Sequence, residues 1–250
     1  MPLESIASDQ GLPVTLEGVS IVVRGVFNPV LFTPAWFREA ELIGADELED
    51  SEITIISPDN TTFRVAWLEV TASQDHIQLQ TTAVEEVQRL RDAAIGVLRT
   101  LEGYPANALG INRDMHTRYA SPDALHRVGD AIAPKQLWED VLEFAGMRSV
   151  VMWGARMDTW SGQTNVRVEP SMIVQPGVYI SVNEHFDLNT RDALPSSRDD
   201  AYSYGEAGME PTSDKRLAAI QILSDRWQYA ADNWLAITRK ISSLAEGENQ

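Results

Sequence analysis

From Val19 to Phe27 the chain runs VSIVVRGVF, β-branched and apolar, which predicts a strand ended by Asn28-Pro29. Thr33-Pro34 then predicts a helix start, because threonine can accept from the free amides and proline suits the first turn. That helix is expected over Pro34 to Ile43, with an acidic loop from Gly44 to Ser51. Three strands are predicted next, over Ile53 to Ser57, Thr61 to Thr71 and His76 to Thr82, separated by polar turn residues. Val87, Leu90, Ala94, Val97 and Leu101 step by three and four, so a helix from Val84 to Leu101 buries one face.

The same order then recurs. A strand is predicted from Asn107 to Tyr119, and Ser121-Pro122 repeats the cap-then-proline signal. A helix is expected to about Ala131, and Pro134 opens a second short helix over Lys135 to Ala145. Strands follow at Met147 to Arg156, Thr164 to Val174 and Val178 to Asp187. Thr62-Phe63-Arg64-Val65 aligns with Asn165-Val166-Arg167-Val168, which suggests an internal duplication. The expected fold class is therefore α+β: a curved antiparallel sheet from two β-α-β-β-β-α halves, residues 1–104 and 105–250, with long helices on one face.

The last helix, Ser213 to Leu244, carries Ile220, Leu223, Trp227, Ala230, Trp234, Ile237, Ile241 and Leu244 in unbroken 3-4 alternation. Two indoles are bulky for a two-stranded coiled coil, so packing on the sheet is the favoured reading and a dimer seam the alternative. The stretch from Leu188 to Thr212 has no period and predicts a long loop, in which Tyr202 and Tyr204 are candidate contacts.

Composition narrows the function classes. The formal net charge of −17 in 250 residues repels nucleic-acid phosphates and anionic membranes. It suits solubility or a basic protein partner. No cysteine is present, so thiolate chemistry and disulfides are ruled out. No apolar run reaches membrane-spanning length, and the first residues lack the pattern of a signal peptide, so a cytoplasmic location is expected. There is no phosphate-binding glycine loop, no dinucleotide turn, no serine elbow and no zinc-protease motif. No cofactor is expected. Asp114, His116, His185 and Asp187 would need adjacent strands to form a metal set, and no metal site is predicted from them.

Arg24, Arg64, Arg113, Arg148 and Arg167 fall in predicted strands among apolar neighbours. A guanidinium there needs a carboxylate, such as Glu69 or Glu169, or an anionic ligand. With Asn112 and His185 they are the candidate ligand-binding residues, and Trp153, Asn165 and Asn183 could wall such a site. Trp160 in an expected hairpin loop, Tyr202, Tyr204, Trp227 and Trp234 are the candidate interaction residues.

The segments VRGVFNP, ALGINRDMHTRY and VYISVNEHFDL resemble a sporadically distributed, uncharacterised bacterial family of duplicated β-α-βββ-α units. The resemblance implies the fold and carries no activity. Its sporadic distribution implies an accessory or defence-related role. The element order is also similar to TATA-binding-protein-like and helix-grip folds, whose DNA-binding saddle requires a basic face that this chain lacks. The leading expectation is a non-enzymatic acidic interaction protein, binding a protein partner or its own copy. The alternative is an anionic-ligand or catalytic pocket between sheet and helices.

Overall fold

The computed structural model describes residues 14–190 and 213–246. Nine strands form one open antiparallel sheet in the order β2-β3-β4-β5-β1-β6-β9-β8-β7. They are β1 (Val14–Gly25), β2 (Glu52–Ile56), β3 (Asn60–Arg64), β4 (Glu69–Ser73) and β5 (His76–Thr81), then β6 (Ala106–Arg118), β7 (Val150–Ala155), β8 (Trp160–Pro170) and β9 (Gly177–Thr190). The long strands β1 and β6 pair at the centre, with Ile21 opposite Ile111. β5 flanks β1 and β9 flanks β6, so the strands before Gly103 fill one side of the sheet and those after it the other.

The helices are α1 (Pro34–Glu39), α2 (Ala45–Glu49), α3 (Val87–Thr100), α4 (Pro122–Ile132), α5 (Ser213–Asp225) and α6 (Trp227–Ser243). The two cap signals act as the sequence predicts. Thr33 Oγ1 accepts from the Trp36 amide at 3.2 Å, and Ser121 Oγ accepts from the Ala124 amide at 3.2 Å. Helices α3, α4, α5 and α6 pack on one face of the sheet. That face is apolar because each strand alternates: Val19, Ile21 and Val23 of β1 lie beside Leu79 and Ile77 of β5 and Leu109 and Ile111 of β6, all buried.

Several boundaries differ from the expectation. The predicted strand Thr61 to Thr71 is two strands joined by a tight turn at Ala66-Trp67, closed by reciprocal bonds between Val65 and Leu68 at 2.9 and 3.2 Å. The turn carries no glycine, proline or asparagine. It holds because Trp67 is buried, donates to Glu47 at 2.7 Å and lies under the Arg89 guanidinium. The first helix stops at Glu39, and Glu41 takes a left-handed conformation, φ 58°. The acidic loop instead contains α2, whose Glu47 returns to the Gly44 amide at 2.7 Å. The helix expected over Lys135 to Ala145 is only a 3-10 turn, Lys135–Leu137, followed by turns.

The predicted C-terminal helix is two, broken at Arg226. Its 3-4 seam faces the molecule's own core: Leu223, Trp227, Ala230, Trp234 and Ile241 are all buried. Packing on the sheet, not a dimer seam, therefore accounts for the period. The break coincides with a polar seam between two apolar clusters, one containing Trp227 and the other Trp234. Across it Glu184 accepts from Arg156 at 2.6 Å and from Thr164 at 2.8 Å, and Asn233 donates to its second oxygen. Asp158 joins Arg156 at 2.6 Å and Arg226 at 3.6 Å. Arg226 at the break thus reaches a buried ionic network that anchors the helix junction.

Candidate functional site

Among the described residues no helix lies on the second face of the sheet, and most of its side chains are polar. Cross-strand register places Arg64, Glu69, Gln80, Ser20, Asn112, Asn183, Asn165 and Trp153 in one row over eight neighbouring strands, β3 to β7. At about 4.8 Å per strand the row spans roughly 34 Å. Its members bond sideways. Arg64 donates to Glu69 at 2.5 Å, Gln80 to Glu69 at 2.9 Å, and Asn112 to Ser20 at 3.2 Å. Asn183 donates to Asn112 at 2.6 Å and Asn165 to Asn183 at 3.0 Å. The row ends at an exposed indole, Trp153, 45% accessible.

Five of the seven candidate ligand-binding residues lie on this face: Arg24, Arg64, Asn112, Arg167 and His185. The other two do not join them. Arg148 lies outside the strands, just before β7, and is exposed. Arg113 points the opposite way, into the core. There it sits 3.7 Å from Glu17, with the rings of Trp227 and Trp234 each 5.7 Å away. Burial pushes the Arg113 pKa down against the pull of Glu17, and pushes the Glu17 carboxyl up against the pull of Arg113.

The exposed arginines are answered by carboxylates. Arg24 meets Asp75 at 2.6 Å, Arg64 meets Glu69, and Arg167 lies 3.7 Å from Glu169. They do not combine into a basic pocket, because each guanidinium has its counter-charge beside it. Asp75 is held at a pKa of about 2, chiefly by bonds from Ser73 and His76. His185 lies 3.0 Å from Asp187 on the same strand. Among the described residues no cluster of histidine, aspartate and glutamate is placed to hold a metal ion.

At one end of the row the face deepens into a cavity of about 470 Å³. Gly18, Ser20, Arg64, Gln78, Gln80 and Asp114 line it, and the Ala66-Trp67 turn forms its lip. Asp114 lies over Gly18, where an added Cβ would stand 3.0 Å from its Oδ2. Burial raises the Asp114 pKa, opposed by His116 and Arg167.

No protein-family model matches this chain, and no curated protein matches it.

A second surface has a different character. β7 is an edge strand, VVMWGA, with no charge, no proline and no bulge in its register against β8. Val151, Met152 and Trp153 are exposed, and the segment leading into it exposes Leu137, Trp138, Val141, Leu142 and Phe144, the last completely. Leu125, His126, Leu142, Phe144, Met147 and Pro170 border a cavity of about 950 Å³ between this segment and α4. The opposite edge, β2, also exposes isoleucines but is interrupted by a bulge between Ile53 and Ile55 and begins with Glu52.

The aromatic residues expected to make contacts lie elsewhere. Trp160 is the buried first residue of β8, not a loop indole, and Trp227 and Trp234 are core. Tyr202 and Tyr204 fall outside the described residues. The apolar segment escapes sequence reading because 138–144, WEDVLEF, has helical spacing and passes for a buried helix face. Gln78 and Gln80 were legible in principle: β5 alternates His-Ile-Gln-Leu-Gln-Thr, one dry and one wet face.

Proposed function

We propose that this chain is a non-enzymatic interaction protein that self-associates through the β7 edge, with a second copy as its partner. The observation that carries the reading is an uncharged, unbulged edge strand next to a run of exposed large apolar side chains. Free edges in monomeric proteins are normally guarded by charge, proline or a bulge, and exposed apolar patches of this kind mark association sites. Two β7 strands can pair antiparallel about a twofold axis, which closes the assembly at two copies and leaves that edge covered.

Electrostatics favours this edge for self-contact. A chain of net charge −17 repels its copy over most of its surface, yet no acid occurs from Phe144 to Met157. Two copies meeting along β7 bring no carboxylates from that stretch together. Light scattering on a size-exclusion column tests the proposal with wild type, Val151→Lys and Met152→Lys. The expected result is a dimer whose lysine variants are folded monomers. A wild type that stays monomeric at about 100 μM, or a dimer untouched by both variants, would overturn it.

A further inference from the structure

We infer that the cavity of about 950 Å³ between α4 and the segment leading into β7 binds an organic cation with a bulky hydrocarbon body. All the residues that line it belong to one copy, so the site does not depend on pairing at β7.

Small residues give the cavity its room. Gly129 borders it from α4, and Ala145 and Gly146 border it from the facing segment. A Cβ at Gly129 would stand 3.6 Å from the Cβ of Met147, whereas one at Gly146 would meet nothing within 4 Å. The two walls thus touch near Met147 and stand apart beside Gly146. Sites for small molecules enclose roughly 300–1,000 Å³, with mostly apolar walls and a few polar groups. This cavity has both properties.

The walls select the body of the ligand. Leu125, Leu142, Phe144, Met147 and Pro170 are apolar, and Leu142 and Phe144 are exposed to water. A hydrocarbon surface laid against them covers apolar area that water otherwise wets. The unbranched Met147 side chain adapts to the shape it meets.

The charges select the sign. Three acids, Asp130, Glu139 and Glu143, line the cavity against one lysine, Lys135. Asp130 already pairs with Lys135 at 2.7 Å. Glu139 and Glu143 form no ion pair among the described residues. These two surplus carboxylates repel an anion and attract a cation, and the Phe144 ring adds an aromatic face that also attracts cations. An apolar wall beside two unanswered carboxylates is matched by a positive centre carried on a hydrocarbon body.

Isothermal titration calorimetry of the purified chain tests this with tetraphenylphosphonium and tetraphenylborate, ions of like size and shape and opposite charge. The phosphonium is expected to bind once per chain and at least about tenfold more tightly than the borate. Glu139→Gln/Glu143→Gln should weaken the phosphonium roughly three- to tenfold, and Leu142→Asn about threefold. Glu49→Gln/Asp50→Asn removes the same charge from the exposed end of α2 and should leave the affinity unchanged. Circular dichroism confirms that the variants fold. No binding of the phosphonium, or a borate bound as tightly, would overturn the inference. So would an affinity untouched by the Glu139/Glu143 or Leu142 variants, or lowered equally by the α2 control.

Discussion

Arg113 offers the sharpest probe of how this fold is held together. It is buried beneath the last two helices, 3.7 Å from a Glu17 that is equally buried, at the join of the two apolar clusters. Two ions taken out of water at that distance are costly to keep, and costlier to separate. Arg113→Met leaves Glu17 without its counter-charge and is expected to cost about 3–5 kcal/mol near pH 8. For a chain of this size that is a Tm loss of roughly 6–20 °C.

The loss depends on pH, and its sign follows from Glu17. Its folded pKa lies above the ordinary value of 4.5, so the folded protein keeps the proton to higher pH than the unfolded chain does. Stability is full below 4.5 and falls as pH rises through the raised folded value. Without Arg113 the folded value rises further, so the deficit of Arg113→Met widens from pH 5 to pH 8. The double variant Glu17→Leu/Arg113→Met removes both ions and is expected to match wild type or exceed it by about 1–4 kcal/mol. Urea unfolding at the two pH values measures all three. A single variant within about 1 kcal/mol of wild type at both would refute the account of a buried, mutually dependent pair.

Two further substitutions probe other parts of the fold. Gly162 has φ 134°, and an added Cβ would lie 2.1 Å from the His185 carbonyl oxygen, so Gly162→Ala should lose about 2–3 kcal/mol in urea unfolding. Asp114 carries a raised pKa, so its ionised form weakens the fold as pH rises above 3.8. Asp114→Asn should therefore raise Tm at pH 7, and the gain should vanish below pH 3.8, as scanning calorimetry would show.

Much of the architecture is written in local periods. The alternation in β5 and β9, the two cap-proline helix starts and the 3-4 seam all hold, because each reflects a face that the sheet or core buries. What escapes is decided by contacts far apart in sequence. The turn at Ala66-Trp67 depends on Glu47 and Arg89, and the break at Arg226 depends on Asp158. The pairing of Arg64 with Glu69 and Arg167 with Glu169 follows from spacing within a hairpin or strand, whereas the burial of Arg113 depends on which face of β6 the helices cover. The polar row is the clearest case. Asn112, Asn165, Asn183 and Trp153 are scattered over residues 112–183, and only the strand order and register bring them into line.

Amide hydrogen exchange on β7, followed at about 1 and 200 μM, tests the proposed association most directly. Pairing between two copies predicts that the amides within Val150–Ala155 that point away from β8 exchange slowly at high concentration and fast on dilution, while β1 and β6 stay protected throughout. Fast exchange of these amides at both concentrations would contradict it and leave this edge unpaired.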